Sequence, residues 1–573
     1  MEEMTHALLD EHHILLFLVQ FFLLLSVSRL LGILFNRIRQ PTVTADVLTG
    51  LILGPSILGR ILPDLHAMLF PSDPYQVIML DTVSWIGIFF LLLVTGLEVN
   101  FSSVWKHRGR ATWIAFSDIV IPIVISAIVL MFLPSRYMIN PQQRFLFVIF
   151  ISTIMTISAM PVSIRVMQDL KLLRTDLGFL AISALSINDI VGWILFTVIL
   201  GAFIHGSPDI GFVLSLIFFT VIFLIFAATA GKVVIGKMLS VIQKMSSEAS
   251  GPALSVVLAA GLLFGALTQL IGINALFGFF IAGLVAGESL DLPEKTRHTI
   301  EQVVNSVFIP IFFADIGLKI DLFKNFDLFL ITLFAVLGIM VRFLGTYAGA
   351  LIAKIPKAQH LLISALHTPG GEMHIVIANL ALELRLINET VFVAIIVSAI
   401  ISTLTLGPML SFIIKRVVPQ RTVQIPLEAA LDVVPEAKYD VLKNLCNRAA
   451  QIINFDTEKI YTYARGREEG MSTGLEKGIA IPHARVPQIK ESSVIFGRSQ
   501  AGIEWDTPDG LPAKLIFLIV TPSDQMDTQL QIYRQIMRVL SKNEYRQSIL
   551  NSPSLQSAVG VLNEGLRLTA IAG

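Results

Sequence analysis

The chain has 573 residues, 54% of them hydrophobic and only 15% charged, with a mean hydropathy of +0.75. A soluble chain carries roughly a quarter charged residues, so the deficit points to lipid. A formal net charge of +0 gives no reason to expect nucleic-acid binding, and a single cysteine, Cys446, excludes an intrachain disulfide framework.

Met1 to Asp10 is acidic rather than basic, so no cleavable signal peptide is expected. Up to Pro419 the chain is a succession of apolar stretches near the ~20 residues that cross a bilayer. Thirteen spans are predicted, over residues 14–36, 41–62, 77–99, 112–133, 145–170, 179–203, 211–235, 252–272, 274–289, 300–320, 327–353, 359–383 and 388–414. With the N-terminus outside, eighteen Lys and Arg residues fall in cytoplasmic loops, among them Arg39, Lys106, Lys171, Arg174, Lys232, Lys354, Arg416 and Arg421. Six fall in outer loops: Arg60, Arg136, Arg144, Lys319, Lys324 and Arg385. This positive-inside bias predicts a cytoplasmic C-terminal part; the expected location is a bacterial inner (cell) membrane, with the protein integral to it.

An internal repeat runs through these spans. The third ends FFLLLVTGLEVNF (Phe89 to Phe101) and the tenth ends PIFFADIGLKIDLF (Pro310 to Phe323). The fifth and twelfth carry Pro161 and Pro369 at comparable places. Both pairs are seven spans apart, an odd offset, so the copies are predicted to lie in opposite orientations, as in many secondary transporters. The expected fold is a polytopic all-α membrane domain with inverted repeats and two broken helices.

Ionisable residues inside spans are costly and point to function. The candidates are Asp46, Asp81, Asp118, Asp189, Asp315, Arg342 and Glu372, with His367 and His374 flanking the last. Asp189 sits mid-span in AISALSINDIVGWILFTVIL, after Asn188 and about one turn beyond Ser186. Its carboxylate offers hard oxygens to a small monovalent cation, and it can hold a proton instead. One group that takes either, but not both, suffices for coupled exchange; the alternative is a structural Asp paired with a basic neighbour. Pro161 and Pro369-Gly370-Gly371 are expected to break two helices at mid-membrane, exposing carbonyls and helix ends; ordinary kinks are the alternative. Arg342 and Glu372 are expected to compensate charge, Arg342 at a broken helix end or paired with Asp189 or Glu372. Asp118 and Asp315 are expected to line water or bond between helices, not to bind the ion. Glu98 and Lys319 are read as interfacial.

These features resemble the cation:proton antiporter superfamily. The runs PTVTADVLTGLILGPSILG (Pro41 to Gly59) and LLLVTGLEVNFSSVW (Leu91 to Trp105) are similar to its monovalent cation:proton antiporter-2 branch, the sodium/hydrogen exchangers, and the resemblance covers residues 12–416. It implies that Asp189 binds cation and proton, that Asn188 is its partner position, and that Arg342 is the basic residue before the second break. Asn-Asp members tend to be electroneutral. Electroneutral relatives often place Thr-Asp before the first break's proline, whereas this chain has Ala159-Met160. Backbone oxygens, or the side chains of Thr156 and Ser158, are then the donors left there. The resemblance also implies a homodimer.

After a linker (417–425), residues 426–573 form a second predicted domain, following the membrane domain at 1–416. Helical spacing over Tyr439 to Ile453 and Gln529 to Leu540, with strands in SSVIFG and AKLIFLIV, predicts an α/β module able to fold alone. The segment TYARGREEGMSTGLEKGIAIPHARVPQIK (Thr462 to Lys490) resembles the phosphoryl-accepting region of phosphotransferase-system enzyme IIA domains of the fructose/mannitol type. That resemblance implies His483 as phosphoryl acceptor, Arg467 as its arginine and Thr473 with Gly474 in the loop. A second family histidine is replaced by Gln529, so either phosphotransfer or the binding of a nucleotide or other phosphate-bearing ligand is expected, with a phosphocarrier protein as a candidate partner.

The leading expectation is a secondary transporter, not an enzyme and without a cofactor, that exchanges Na+ or K+ for H+ under control of its C-terminal domain. The alternative is a gated potassium efflux system of channel-like character. A self-phosphorylating sugar permease fits less well, because the chain has no recognisable module with a phosphorylated cysteine.

Overall fold

The computed structural model describes residues 10–37, 40–99, 108–170, 172–173, 175–204, 210–245, 250–289, 291–417, 424–489, 491–523 and 526–571. Arg39, Lys106, Lys171, Arg174 and Arg421 of the predicted cytoplasmic set lie outside these residues. The chain divides into two compact units, one of Met1–Ser163, Ser183–Gly349 and Ser364–Gly407, the other of Ile164–Ile182, Ala350–Ile363 and Pro408–Gly573.

Among the described residues ten helices are long and apolar enough to cross a membrane, from Glu11–Arg37 to Glu389–Ile413. The helix is the form such segments take because lipid offers no partner to a bare N–H or C=O. Large apolar side chains point outward from them: Phe22, Leu30, Leu262 and Leu270 are all exposed, as suits a surface solvated by acyl chains. Polar residues mark several starts. Asp73 accepts from the backbone N–H groups of Tyr75 and Gln76 ahead of Pro74–Glu98, and Asn274 accepts from that of Leu276 ahead of Ala275–Gly287.

Helices of the first unit meet at places of close backbone approach. The glycines aligned by the sequence repeat, Gly96 and Gly317, both sit at such crossings. A Cβ on Gly96 would lie 2.1 Å from the Phe280 carbonyl oxygen, and one on Gly317 would lie 2.4 Å from that of Val47. Small residues serve this purpose between membrane helices.

Two of the predicted spans are not continuous helices. Arg144–Ile154 stops and Met160–Asp169 starts afresh, with an unwound stretch between; Lys357–Leu366 and Gly371–Glu383 are separated in the same way. The breaks fall at the Pro161 and Pro369-Gly370-Gly371 signals. A shorter apolar helix, Ala275–Gly287, stands beside the ten long ones. A π-turn over Leu337–Val341 interrupts the helix just before Arg342, a device often found at functional sites.

The second unit is built on a mixed sheet. Its strands are β1 (Ala430–Asp432), β2 (Gly474–Leu475), β3 (Ile479–Ala480), β4 (His483–Val486), β5 (Ser493–Ile503) and β6 (Ala513–Pro522). The order is β1-β5-β6-β3-β2, with β4 also pairing β6. Strand β6 is central and buried on both faces, which is why AKLIFLIV reads as a continuous apolar run. It lies antiparallel to β5, with Phe496 opposite Phe517 and their rings stacked 4.9 Å apart, and parallel to β3 and β4. Helices Lys438–Ile453, Thr457–Gly470, Met526–Leu540, Asn543–Leu550 and Leu555–Ile571 accompany the sheet. Cys446 is buried in this core as a free thiol, and burial pushes its pKa up to about 12.

Candidate functional site

The two helix breaks of the first unit meet. The Ala159 N–H, in the first break, donates to the Pro369 carbonyl, in the second, at 3.0 Å. Gly371 adopts a φ of +47°, and a Cβ there would stand 2.4 Å from the Ala159 Cβ, so glycine is what lets the second break pass the first.

Unwound backbone in a membrane must find partners elsewhere. Arg342 supplies them. Its side chain is fully buried, and Nη1 donates to the carbonyls of Ile157 (3.2 Å) and Pro369 (3.3 Å), one from each break. His374 Nε2 donates to the same Ile157 carbonyl at 3.1 Å, and the Gly370 N–H donates to Ser402.

The guanidinium's charge is met by Asp118. Arg342 Nη2 lies 3.2 Å from Asp118 Oδ2, and both side chains are fully buried. The same oxygen accepts from Asn188 Nδ2 at 2.8 Å and His367 Nδ1 at 2.9 Å, while Oδ1 accepts from the Thr346 hydroxyl at 2.8 Å. Four donors therefore converge on one carboxylate.

Asp189 lies next to this hub through its neighbour. Ser158, in the first break, donates to Asp189 Oδ1 at 2.7 Å, and its hydroxyl is 3.2 Å from Asn188 Oδ1. All three side chains are buried. Thus Asn188 bridges two carboxylates of different kinds: its amide nitrogen serves Asp118, which is engaged by a cation, and its oxygen faces the serine that holds Asp189.

Of the residues singled out by sequence, Ser158, Asn188 and Asp189 come together, and Arg342 stands at the broken helix ends. It ion-pairs with Asp118 rather than with Asp189 or Glu372. Thr156 donates its hydroxyl to Thr153 in its own chain turn, and the Ser186 hydroxyl faces the Met160 sulfur at 3.5 Å; neither contacts Asp189 by a described hydrogen bond. Glu372 opens the second half-helix and lines a small cavity with Thr44, Val162, Gly371 and Thr403. Asp118 makes interhelical bonds, as read from sequence, but its place as the hub was not legible. Thr346 was missed altogether, although its i+4 spacing from Arg342 puts it on the same helix face.

Lys319 is not simply interfacial. Its ammonium lies 2.8 Å from Asp81 and 3.0 Å from Asp315, which also accepts from Ser84 at 2.8 Å.

In the second unit, His483 begins β4 opposite Ile519 of β6. Its Nδ1 donates to the Ile481 carbonyl at 3.0 Å, which fixes the tautomer whose Nε2 carries the lone pair. Gln529 lines a common cavity with it. Thr473 is held by Glu468, which accepts from its backbone N–H and its hydroxyl and also from Lys438 (2.8 Å) and the Trp505 indole (3.0 Å). Arg467 does not line the His483 cavity; it donates to the Met471 carbonyl at 3.0 Å and lies over the Phe179 ring, 5.6 Å from its centroid.

Comparison with known proteins bears on both units. Residues 22–416 match the family described as sodium/hydrogen exchanger, transmembrane, and residues 429–565 match the enzyme IIA family of the phosphoenolpyruvate-dependent sugar phosphotransferase system, type 2. The chain is 29% identical over 416 residues to Cation/H(+) antiporter 17 of Arabidopsis thaliana, covering 71% of this chain and 49% of that protein. It spans about half the length of that and similar plant relatives. It is 27% identical over 407 residues to the Na(+)/H(+) antiporter NhaS4 of Synechocystis, covering 70% of this chain and 98% of that one. Among solved structures, the sodium proton antiporter MjNhaP1 of Methanocaldococcus jannaschii shares the fold, with a TM-score of 0.53 at 18% identity over 70% of this chain and 96% of that chain.

Proposed function

The chain belongs to the sodium/hydrogen exchanger family, and from that premise we propose that it exchanges Na+ or K+ for H+ across a membrane, with Asp189 as the group that carries either ion. The observation that carries this reading is the division of labour between two buried carboxylates. Asp118 is saturated by Arg342, His367, Asn188 and Thr346. Asp189 accepts from the neutral Ser158, so its charge is left to be balanced by a cation or a proton that can leave. A buried carboxylate without such a counter-charge is too costly to persist, which makes the two loads alternatives to each other.

The breaks around it suit that task. Arg342 and His374 occupy the Ile157 carbonyl and Arg342 the Pro369 carbonyl, so unwound backbone is kept in place without needing the transported ion. In this reading the helices make thirteen crossings, the two broken pairs counting as one each, with inverted repeats, the N-terminus outside and the second domain in the cytoplasm of a bacterial cell. Asn188 beside Asp189 favours one cation for one proton. The protein acts as a homodimer and a transporter rather than an enzyme. The enzyme IIA-like part regulates exchange through phosphoryl transfer to His483 from a phosphocarrier or through a bound phosphate-bearing ligand.

Flux in proteoliposomes tests the reading against its channel-like alternative. Addition of Na+, K+ or Li+ to vesicles with a preset pH gradient is expected to dissipate the gradient for at least one of them. Cation uptake with no pH response would sink antiport and leave a channel.

A further inference from the structure

The second unit contains more than the enzyme IIA-like domain. It includes Ile164–Ile182 and Ala350–Ile363, the segments that end the Met160–Asp169 half-helix, open the Asp176–Ile204 helix and open the Lys357–Leu366 half-helix. Within this unit His483 is 2% exposed. The cavity beside it is lined by Gln529, Leu530 and Tyr533 of the enzyme IIA-like part and by Thr175, Leu177 and Gln359 of the other two segments. It measures about 10 Å³, room for one water and no more.

Two polar side chains in that cavity are left unsatisfied. Among the described residues neither amide atom of Gln359 has a hydrogen-bond partner, and the Gln529 oxygen lacks one as well, although Gln359 is 1% and Gln529 5% exposed. Burying an amide this way is unfavourable, so the fit over the histidine is poor in polar terms and good in apolar ones. Phe179 reinforces it from the side, its ring lying under the Arg467 guanidinium.

We propose that the surface formed by Thr175, Leu177 and Gln359 is the docking partner of the His483 face, and that it accepts only the unmodified histidine. A phosphoryl group on Nε2 brings a phosphorus and three oxygens with roughly two negative charges, into space that holds one water between uncharged amides and a leucine. Phosphorylation and docking therefore exclude each other. The docked face holds the starts of two helices: the one that carries Asp189 and the half-helix that leads into the second break. Modification of His483 frees both. This rests on the reading that His483 accepts a phosphoryl group.

Potassium phosphoramidate labels histidine without any partner protein: Nε2 attacks phosphorus, the P–N bond of the reagent breaks and ammonia leaves. With the full-length chain in detergent, His483 labelling is expected to be slow. Gln359→Trp and Gln529→Trp, which overfill the cavity from opposite sides, are each expected to speed it by about tenfold or more, the factor for a docked state populated ten to one. His483→Ala sets the background. In the second arm, a Gln359→Cys chain is treated with a maleimide before and after labelling, and its thiol is expected to react about tenfold faster once His483 carries phosphate. Native labelling as fast as in both Trp variants, or Gln359→Cys access unchanged by labelling, would overturn the proposal. A phosphocarrier with phosphoenolpyruvate that fails to label even the opened variants, while phosphoramidate succeeds, would remove the relay and leave the docking surface standing.

Discussion

Arg342 and Asp118 offer a sharp test of how the broken helices are held. Replacing Arg342 by Met deletes the ion pair to Asp118 and the two donors to Ile157 and Pro369. It leaves a buried carboxylate with Asn188, His367 and Thr346 as its remaining partners. Breaking a buried pair from one side costs about 3–5 kcal/mol, and the orphaned carbonyls fall within that figure only in part. Asp118→Asn keeps an acceptor oxygen but leaves the guanidinium uncompensated, a loss of similar size. In the double variant neither member of the ion pair is left facing the other's empty place. What persists is two carbonyls short of a donor, at about 1–3 kcal/mol each, and Ile157 and Pro369 still accept from His374 and Ala159, which places the remainder at the low end. With each single near 3–5 kcal/mol and the double near 2 kcal/mol, the expected coupling is about 4 kcal/mol or more in favour of the double variant. Reversible unfolding in mixed micelles, followed for the wild type, both singles and the double, measures it. Additivity to within about 0.5 kcal/mol would refute the claim that these two side chains neutralise each other.

Further expectations follow from other contacts. Gly371→Ala must move Ala159 or give up its φ of +47°, a strain of about 1–3 kcal/mol next to Ser158. Transport per folded molecule in vesicles should therefore fall well below wild type; unchanged transport would mean that the crossing of the breaks is slack. Cys446, with its thiol pushed up to about 12 by burial, should resist maleimide at neutral pH until the second domain unfolds, since the thiolate is the reactive form. Labelling of the folded chain in stoichiometric yield would contradict the core packing. For Lys438, burial acts against the ammonium, but hydrogen bonds and charge from Asp506 and Glu468 outweigh it and raise its pKa. The sign is that of a cation favoured by folding: its contribution is present below the ordinary 10.5 and lost as pH rises through the raised value. Second-domain stability, read by Trp505 fluorescence in a chain lacking the other tryptophans, should decline in that alkaline window and do so less in Lys438→Met.

Much of the fold was legible because its signals are local. Apolar run length gave the helices, Pro161 marked the first break, and Pro369-Gly370-Gly371 marked the second, since no helix can keep its bonds through that run. The alternation and run lengths after the linker gave β5, β6 and the helices beside them. Asp189 and Ser158 could be found because each sits in a segment whose other residues are apolar or broken. Asp118 could not be ranked the same way. Its role depends on which helix faces it, and nothing in its own span says that Arg342, His367 and Asn188 converge there. The Leu337–Val341 π-turn, which adds a residue to the turn before Arg342, has no clear local signature either. The cover over His483 is the extreme case: Thr175 and Gln359 lie more than 120 residues before it in the chain, and only folding brings them to one cavity.

The central claim is that Asp189 carries cation and proton in turn, while Asp118 stays with Arg342. The direct measurement is cation-driven dissipation of a pH gradient in vesicles holding Asp189→Asn at wild-type density, after each of Na+, K+ and Li+. The account predicts no exchange with any of the three, in a protein that still folds with its Asp118–Arg342 pair intact. Exchange persisting in Asp189→Asn near the wild-type rate would contradict it.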